Sequence, residues 1–197
     1  MTALQFDRAT HTYSYGGQHL ESVTQVLKRA GQIGDWGTVG YMQRGTTVHG
    51  LTARIDRLQQ PTMDDTERYV DVAEELQGYV ASWQKWLRES GFVVELIETP
   101  VCDLQHSIAG TPDRVGYLPV LRNTRVVVDI KTNASGQIAP WVRYQLAAYA
   151  MMSRRTPSER LERVAIALTP AKYSIQHFKI DTLLVDWSQF IVWKEQQ

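Results

Sequence analysis

Arg125-Val126-Val127-Val128-Asp129-Ile130-Lys131 sets an almost unbroken β-branched run against one carboxylate and one amine. A run of this kind suits a central strand covered on both faces, since both of its alternating sides are apolar. The same alternation sends Asp129 and Lys131 to one face and Val128 and Ile130 to the other. A carboxylate and an amine at the exit of a buried strand cost free energy unless partners satisfy them, and a metal or a substrate phosphate is such a partner. A structural ion pair at a strand end is the other reading open at this point.

Working outward, Gly110-Thr-Pro-Asp113 opens a short strand through Leu118, and the loop Pro119–Thr124 returns the chain beside Arg125–Lys131. Adjacent strands can then present Asp113 and Asp129 together near Lys131. Two converging carboxylates make a hard-oxygen site suited to Mg²⁺ or Mn²⁺, and a bound dication removes their repulsion. Before this, Phe92–Asp103 reads as β-rich. After it, Pro140 is placed to open a helix running to about Ser153. Val164–Leu168 reads as a buried strand, Tyr173–Ile180 as its neighbour, and Leu183–Lys194 as a helix.

Towards the beginning, Thr12–Leu20 alternates and turns at Gly16-Gly17, as a hairpin does. Ser22-Val-Thr-Gln25 has capping-box spacing ahead of a short helix that Gly31 ends. A helix is expected over 40–59, with Pro61 beyond it. The clearest helical pattern covers 66–90, where Tyr69, Val72, Ala73, Leu76, Tyr79, Trp83 and Trp86 line one stripe and Gly91 supplies a left-handed cap. This order of elements predicts an α/β fold with a mixed central sheet flanked by helices on both faces. One domain over 1–197 is expected, with the hairpin and helices of 1–62 ahead of a core over 63–197.

The chain of 197 residues carries a single cysteine, Cys102, which excludes a disulfide framework, a thiolate zinc site and a four-cysteine iron–sulfur cluster. No apolar run reaches the ~18 residues of a membrane span, and the first residues are polar, so a cytoplasmic protein is expected. The formal net charge of zero hides an asymmetry. Residues 1–119 carry 10 basic and 15 acidic side chains, and residues 120–197 carry 11 and 6. Part of the acidic excess is the run Asp64, Asp65, Glu67, Asp71, Glu74, Glu75.

Four motifs in order resemble the PD-(D/E)xK nuclease superfamily, and within it the RecB-like and lambda-exonuclease-like branch. Gly110-Thr-Pro-Asp113 resembles its first acidic motif and Asp129-Ile-Lys131 its second, with Asp where Glu is frequent. Gln145-Leu-Ala-Ala-Tyr149 resembles the Q-x-x-x-Y helix, and Arg44-Gly-Thr-Thr-Val-His49 the R-G-x-x-x-H helix. His11-Thr-Tyr13 with Ser22-Val-Thr-Gln-Val-Leu27 is similar to phage and prophage nucleases of this group.

The resemblance implies a restriction-endonuclease-like fold and Mg²⁺-dependent hydrolysis of DNA, with Mn²⁺ able to substitute and no iron–sulfur cluster. Asp113, Asp129, the Ile130 carbonyl and His49 would hold metal, with Glu98 as a further acid and Glu95 its competitor. Lys131 would act on the attacking water or the phosphate, and Gln145 and Tyr149 would order the site. Arg44, Arg114 and Arg143 are the leading phosphate contacts, followed by Arg122, Arg125, Arg154 and Arg155. An exonuclease of phage-type recombination or DNA processing is implied, working with a single-strand annealing or recombination protein and able to oligomerise. A structure-specific endonuclease and a non-catalytic DNA-binding module are the alternatives. His11, His19, His106 and His177 read as surface or loop residues, and Tyr79, Trp83 and Trp86 as core.

Overall fold

The computed structural model describes residues 3–34, 39–58 and 72–196. The strands β1 (Leu4–Asp7), β2 (Thr12–Tyr15) and β3 (Gln18–Ser22) lead into α1 (Val23–Arg29) and α2 (Val39–Leu58). Then come α3 (Glu74–Ser90) and the strands β4 (Val93–Ile97), β5 (Val101–Asp103), β6 (Ile108–Gly110), β7 (Arg114–Leu118) and β8 (Thr124–Thr132). The helix α4 (Val142–Met152), β9 (Glu162–Leu168), β10 (Tyr173–Phe178) and α5 (Leu183–Glu195) complete the order.

The central sheet runs β10-β9-β8-β7-β4, so the valine-rich strand lies in the middle as its composition requires. It pairs antiparallel with β7 and parallel with β9, the parallel partner being reached through α4. Val126, Val128 and Ile130 pack beneath α2 and α3 with Val48, Trp83 and Trp86. Val127 packs on the other face with Val26 of α1, Leu146 of α4 and Phe190 of α5. The expected α/β architecture, a mixed central sheet with helices on both faces, is therefore present. By the same alternation Asp129 and Lys131 belong to the α4 face.

A buried ion pair ties α2 to the start of β7. Arg114 is 0% exposed and Asp56 1%, and the guanidinium of Arg114 donates from Nε to Asp56. Arg114 also donates to the Asp113 carbonyl at 2.6 Å and to Thr52 Oγ1 at 3.1 Å, while Trp83 Nε1 donates to Asp56 Oδ1 at 2.9 Å. Removing one member of such a pair costs about 3–5 kcal/mol, because the other is left charged in the interior. The network fixes the backbone of Asp113. It also corrects the expectation for Arg114, which has no exposed surface to offer a DNA phosphate.

Several boundaries differ from the expectations. The hairpin over 12–20 forms, turning on Gly16 (φ 58°) and Gly17 (φ 82°), both left-handed as a two-residue hairpin turn requires. It extends into a second sheet of order β1-β2-β3-β6-β5, where β3 and β6 pair in parallel. The stretch Phe92–Asp103 is therefore two strands in two sheets, broken at Glu98 (φ 45°). α3 starts at Glu74 rather than near 66, with Ala73 extended at ψ 141°. The start expected over 66–71, and Asp64, Asp65, Glu67 and Asp71, lie outside the described residues. Pro140 does not occupy the first helical position, since α4 begins at Val142 behind the cap Trp141. No helix among the described residues is long and apolar enough to cross a membrane.

Candidate active site

The end of β8, the residue before β7 and one face each of α2 and α4 meet at a single place. Asp113 accepts a hydrogen bond from the Ile130 backbone N–H at Oδ2, 2.6 Å, across the β7–β8 pair. Its Oδ1 lies 3.1 Å from His49 Nδ1, delivered by α2. Gly110 clears the approach, since a Cβ there would stand 2.5 Å from the Tyr149 ring. Asp129 is 2% exposed. Its Oδ1 accepts from Lys131 Nζ at 3.0 Å, while Oδ2 approaches the same nitrogen at 2.8 Å without hydrogen-bond geometry and has no hydrogen-bond partner.

Lys131 is held from further sides. Its ammonium donates to Gln145 Oε1 at 3.0 Å, and Gln145 Nε2 donates to the Tyr149 hydroxyl at 3.2 Å. The spacing of four residues puts Gln145 and Tyr149 on one face of α4, as the motif anticipates. The Trp141 ring lies 5.0 Å from Nζ, within cation–π range. Sequence reasoning missed Trp141, although it stands one helical turn before Gln145.

The two carboxyls are driven apart electrostatically. Burial pushes Asp129 up, with the Asp113 charge adding to the rise and the Lys131 ammonium opposing it. Burial also works against ionised Asp113, but the charge and hydrogen bond of His49, the Lys131 charge and the Ile130 N–H outweigh it and hold Asp113 well below the usual carboxylate range. For His49, burial favours the neutral ring, yet Asp113 prevails and raises its pKa. The Asp129 oxygen that lacks a hydrogen bond is still in ionic contact with the Lys131 ammonium at 2.8 Å.

Two carboxylates and an imidazole are donors of a kind that a divalent cation accepts. Among the described residues no group of three His, Cys, Asp or Glu side chains is arranged to hold a metal ion. Mg²⁺ does not need one, since it commonly takes one or two carboxylates and completes its shell with water and phosphate oxygens.

The other expected residues separate clearly. Glu98 lines a cavity of about 290 Å³ together with Asp113, Thr46 and Thr111, and its N–H donates to the Asp113 carbonyl at 3.0 Å. Its competitor Glu95 points elsewhere and is bound by Arg125 and Arg155, each at 2.7 Å. Glu95 is therefore structural, and Arg125, 6% exposed, is corrected to structural as well. Arg44 lies over the Tyr79 ring at 5.5 Å. Arg143 pairs with the buried Asp186 at 2.6 Å and keeps 39% of its side chain exposed. Arg154 donates to the carbonyls of Met151 and Pro157, and Arg122 is exposed in a left-handed turn. Tyr79, Trp83 and Trp86 are core, as expected. His106 and His177 pair with Asp103 and Glu162, and His11 and His19 are exposed.

No family model matches the chain, and no curated protein matches it. Among solved structures it is similar to a candidate exonuclease from Eubacterium rectale, with a TM-score of 0.52 at 14% identity over 88% of this chain and 77% of that one. An alkaline exonuclease from Laribacter hongkongensis matches with a TM-score of 0.43 at 10% identity, over 88% and 87% of the two chains. At these identities the first likeness bears on the fold.

Proposed function

We propose that the protein is a Mg²⁺-dependent nuclease of the PD-(D/E)xK type that hydrolyses phosphodiester bonds in DNA. The observation that carries this reading is the buried Asp129 carboxylate, with one oxygen lacking a hydrogen bond, set beside Lys131 at the strand exit that Asp113 also reaches. Asp113, Asp129, His49 and the Ile130 carbonyl would hold the cation, with Glu98 at the edge. A cation bound there would lower the pKa of a water and neutralise charge on the scissile phosphate.

The remaining steps belong to the chain itself. Lys131 presents an ammonium that can orient the attacking water or stabilise the developing phosphorane charge. Gln145 accepts from that ammonium and so fixes its position, and the Tyr149 hydroxyl fixes the amide of Gln145. Arg143, paired with Asp186 through Nε and Nη2, keeps 39% of its side chain exposed and would meet the DNA backbone from there. The exonuclease names of the structural neighbours and the Q-x-x-x-Y helix favour the RecB-like, lambda-exonuclease-like branch, acting on DNA ends in phage-type recombination or processing. An intact Asp-Asp-Lys set speaks against a decayed, purely DNA-binding module.

Calorimetric titration with Mg²⁺ or Mn²⁺, beside cleavage of end-labelled linear and closed circular DNA with Mg²⁺ and with EDTA, tests the proposal. Metal binding that Asp113→Ala abolishes, and linear DNA shortened from its ends while circles survive, is the expected result. Nicked circles would move the assignment to an endonuclease. No metal binding and no cleavage would overturn it.

A further inference from the structure

α4 opens on a residue that helix energetics do not favour there. Its cap, Trp141, makes no side-chain hydrogen bond to the first turn, at a place where Ser, Thr, Asp or Asn is strongly preferred. Local rules broken in a folded chain cluster at functional sites. Trp141 is half-buried against the core beside α4, and Lys131 Nζ stands over its ring, 5.0 Å from the centroid. The Trp141 carbonyl accepts from the Gln145 N–H at 3.3 Å, so the ring and the Gln145 amide reach the same ammonium from consecutive turns. That ammonium has three N–H donors. Among the described residues Asp129 Oδ1 and Gln145 Oε1, each at 3.0 Å, are its only hydrogen-bond acceptors, which leaves one donor for the ring.

We propose that Trp141 is a positioning residue for the reaction: its π face holds the Lys131 ammonium beside Asp129 and Gln145 and yields the third N–H to a water or phosphate oxygen. The inference rests on the nuclease reading and adds how its amine is kept in place. Lysine carries its charge on a flexible four-carbon stem, so two acceptors at the tip do not by themselves fix where the third N–H points. A carboxylate on the third side would also hold the ammonium, but a charge-assisted hydrogen bond would have to be given up when substrate arrives. The negative face of an aromatic ring attracts the cation without such a bond, and among aromatic side chains Trp does so best. An aliphatic side chain would fill the space and leave the charge unheld. Trp141 therefore acts through Lys131 and not on the DNA.

The test is the single-turnover cleavage rate of the full chain at saturating DNA in Mg²⁺, with DNA affinity measured separately in EDTA. Trp141→Leu is expected to be slower by about tenfold with affinity unchanged within about twofold, and Trp141→Phe to recover most of the rate. In a Lys131→Gln background Trp141→Leu should change the rate by less than about twofold, because the ring then has no cation to hold. A second pair keeps the shape constant. Phenylalanine is compared with pentafluorophenylalanine at position 141, where fluorine reverses the potential of the ring face, and the fluorinated protein should be slower by a similar factor. This pair decides the matter if leucine unsettles the fold. A fluorinated protein as fast as its phenylalanine counterpart, or a Trp141→Leu loss of equal size with and without Lys131, would overturn the role. A wild type that leaves DNA uncut would overturn the nuclease reading and this role with it, whereas cleavage at equal rates by the fluorinated pair would overturn this role alone.

Discussion

Asp129→Asn should make the metal-free protein more stable while abolishing its chemistry. Asp129 is buried, and its carboxyl is pushed up from 3.8 to about 6, chiefly by burial, against the pull of Lys131. Between these values the native state binds a proton that the unfolded chain releases, so stability falls as pH rises through the window. Fully developed, the penalty is about 3 kcal/mol at ~1.36 kcal/mol per tenfold change in proton affinity. Asparagine keeps a carbonyl for Lys131 and removes the charge. We expect it to restore about 1–3 kcal/mol above pH 6 in EDTA, a rise of roughly 3–10 °C in Tm for a chain of this length. Asp113 does not confuse the measurement. Its lowered pKa adds stability that is lost only as pH falls below 3.8, and the raised pKa of His49, held up against burial by Asp113 and less by Asp129, gives a slope above 6.5 that is smaller in the variant. Thermal or urea unfolding from pH 4 to 8, with EDTA and with Mg²⁺, reads the effect. The advantage of the variant should grow between pH 4 and 6 and shrink or reverse when Mg²⁺ stabilises the wild type. A variant less stable than the wild type in EDTA at pH 8, or a difference independent of pH, would refute the reasoning.

Three more outcomes follow from particular contacts. Gly110→Ala places a Cβ 2.5 Å from the buried Tyr149 ring and should cost about 1–3 kcal/mol in urea unfolding, with a loss of cleavage as Tyr149 and Gln145 shift; an unaffected variant would show that the ring yields freely. Glu98→Gln should lower Mg²⁺-dependent cleavage with little change in Tm, whereas Glu95→Gln, which breaks the contacts with Arg125 and Arg155, should lower Tm and spare cleavage; the opposite pattern would restore Glu95 as the additional acid. Asp56→Ala strands the buried Arg114 guanidinium and should cost about 3–5 kcal/mol, seen as a lower denaturation midpoint; a change under about 1 kcal/mol would mean that water reaches Arg114.

The parts of this molecule legible in its sequence are those set by local composition. The Val126–Ile130 run could only be a doubly covered strand, and the capping box at Ser22–Gln25 and the stop at Gly91 depend on residues within one turn. Asp113, Asp129, Lys131, Gln145 and His49 were singled out by motifs of fixed spacing, and the structure brings these five together. The second sheet was not legible: β5 and β6 are three residues each, and the parallel pairing of β3 with β6 joins positions far apart in the chain. Burial of charge was equally hidden. Arg114 looked like a phosphate contact because its partner Asp56 lies on another element, and only packing shows both inside. Glu95 and Glu98 differ by a left-handed turn that no local pattern announced.

The most direct test of the account is the single-turnover rate of nucleotide release from labelled DNA in Mg²⁺, wild type against Lys131→Gln, with folding of both checked by their unfolding curves. The account predicts release that EDTA abolishes and a fall of about 10²-fold or more in the variant, the range for removing a group that acts on the proton or charge of the transition state. A well-folded Lys131→Gln protein that cleaves at the wild-type rate would contradict it.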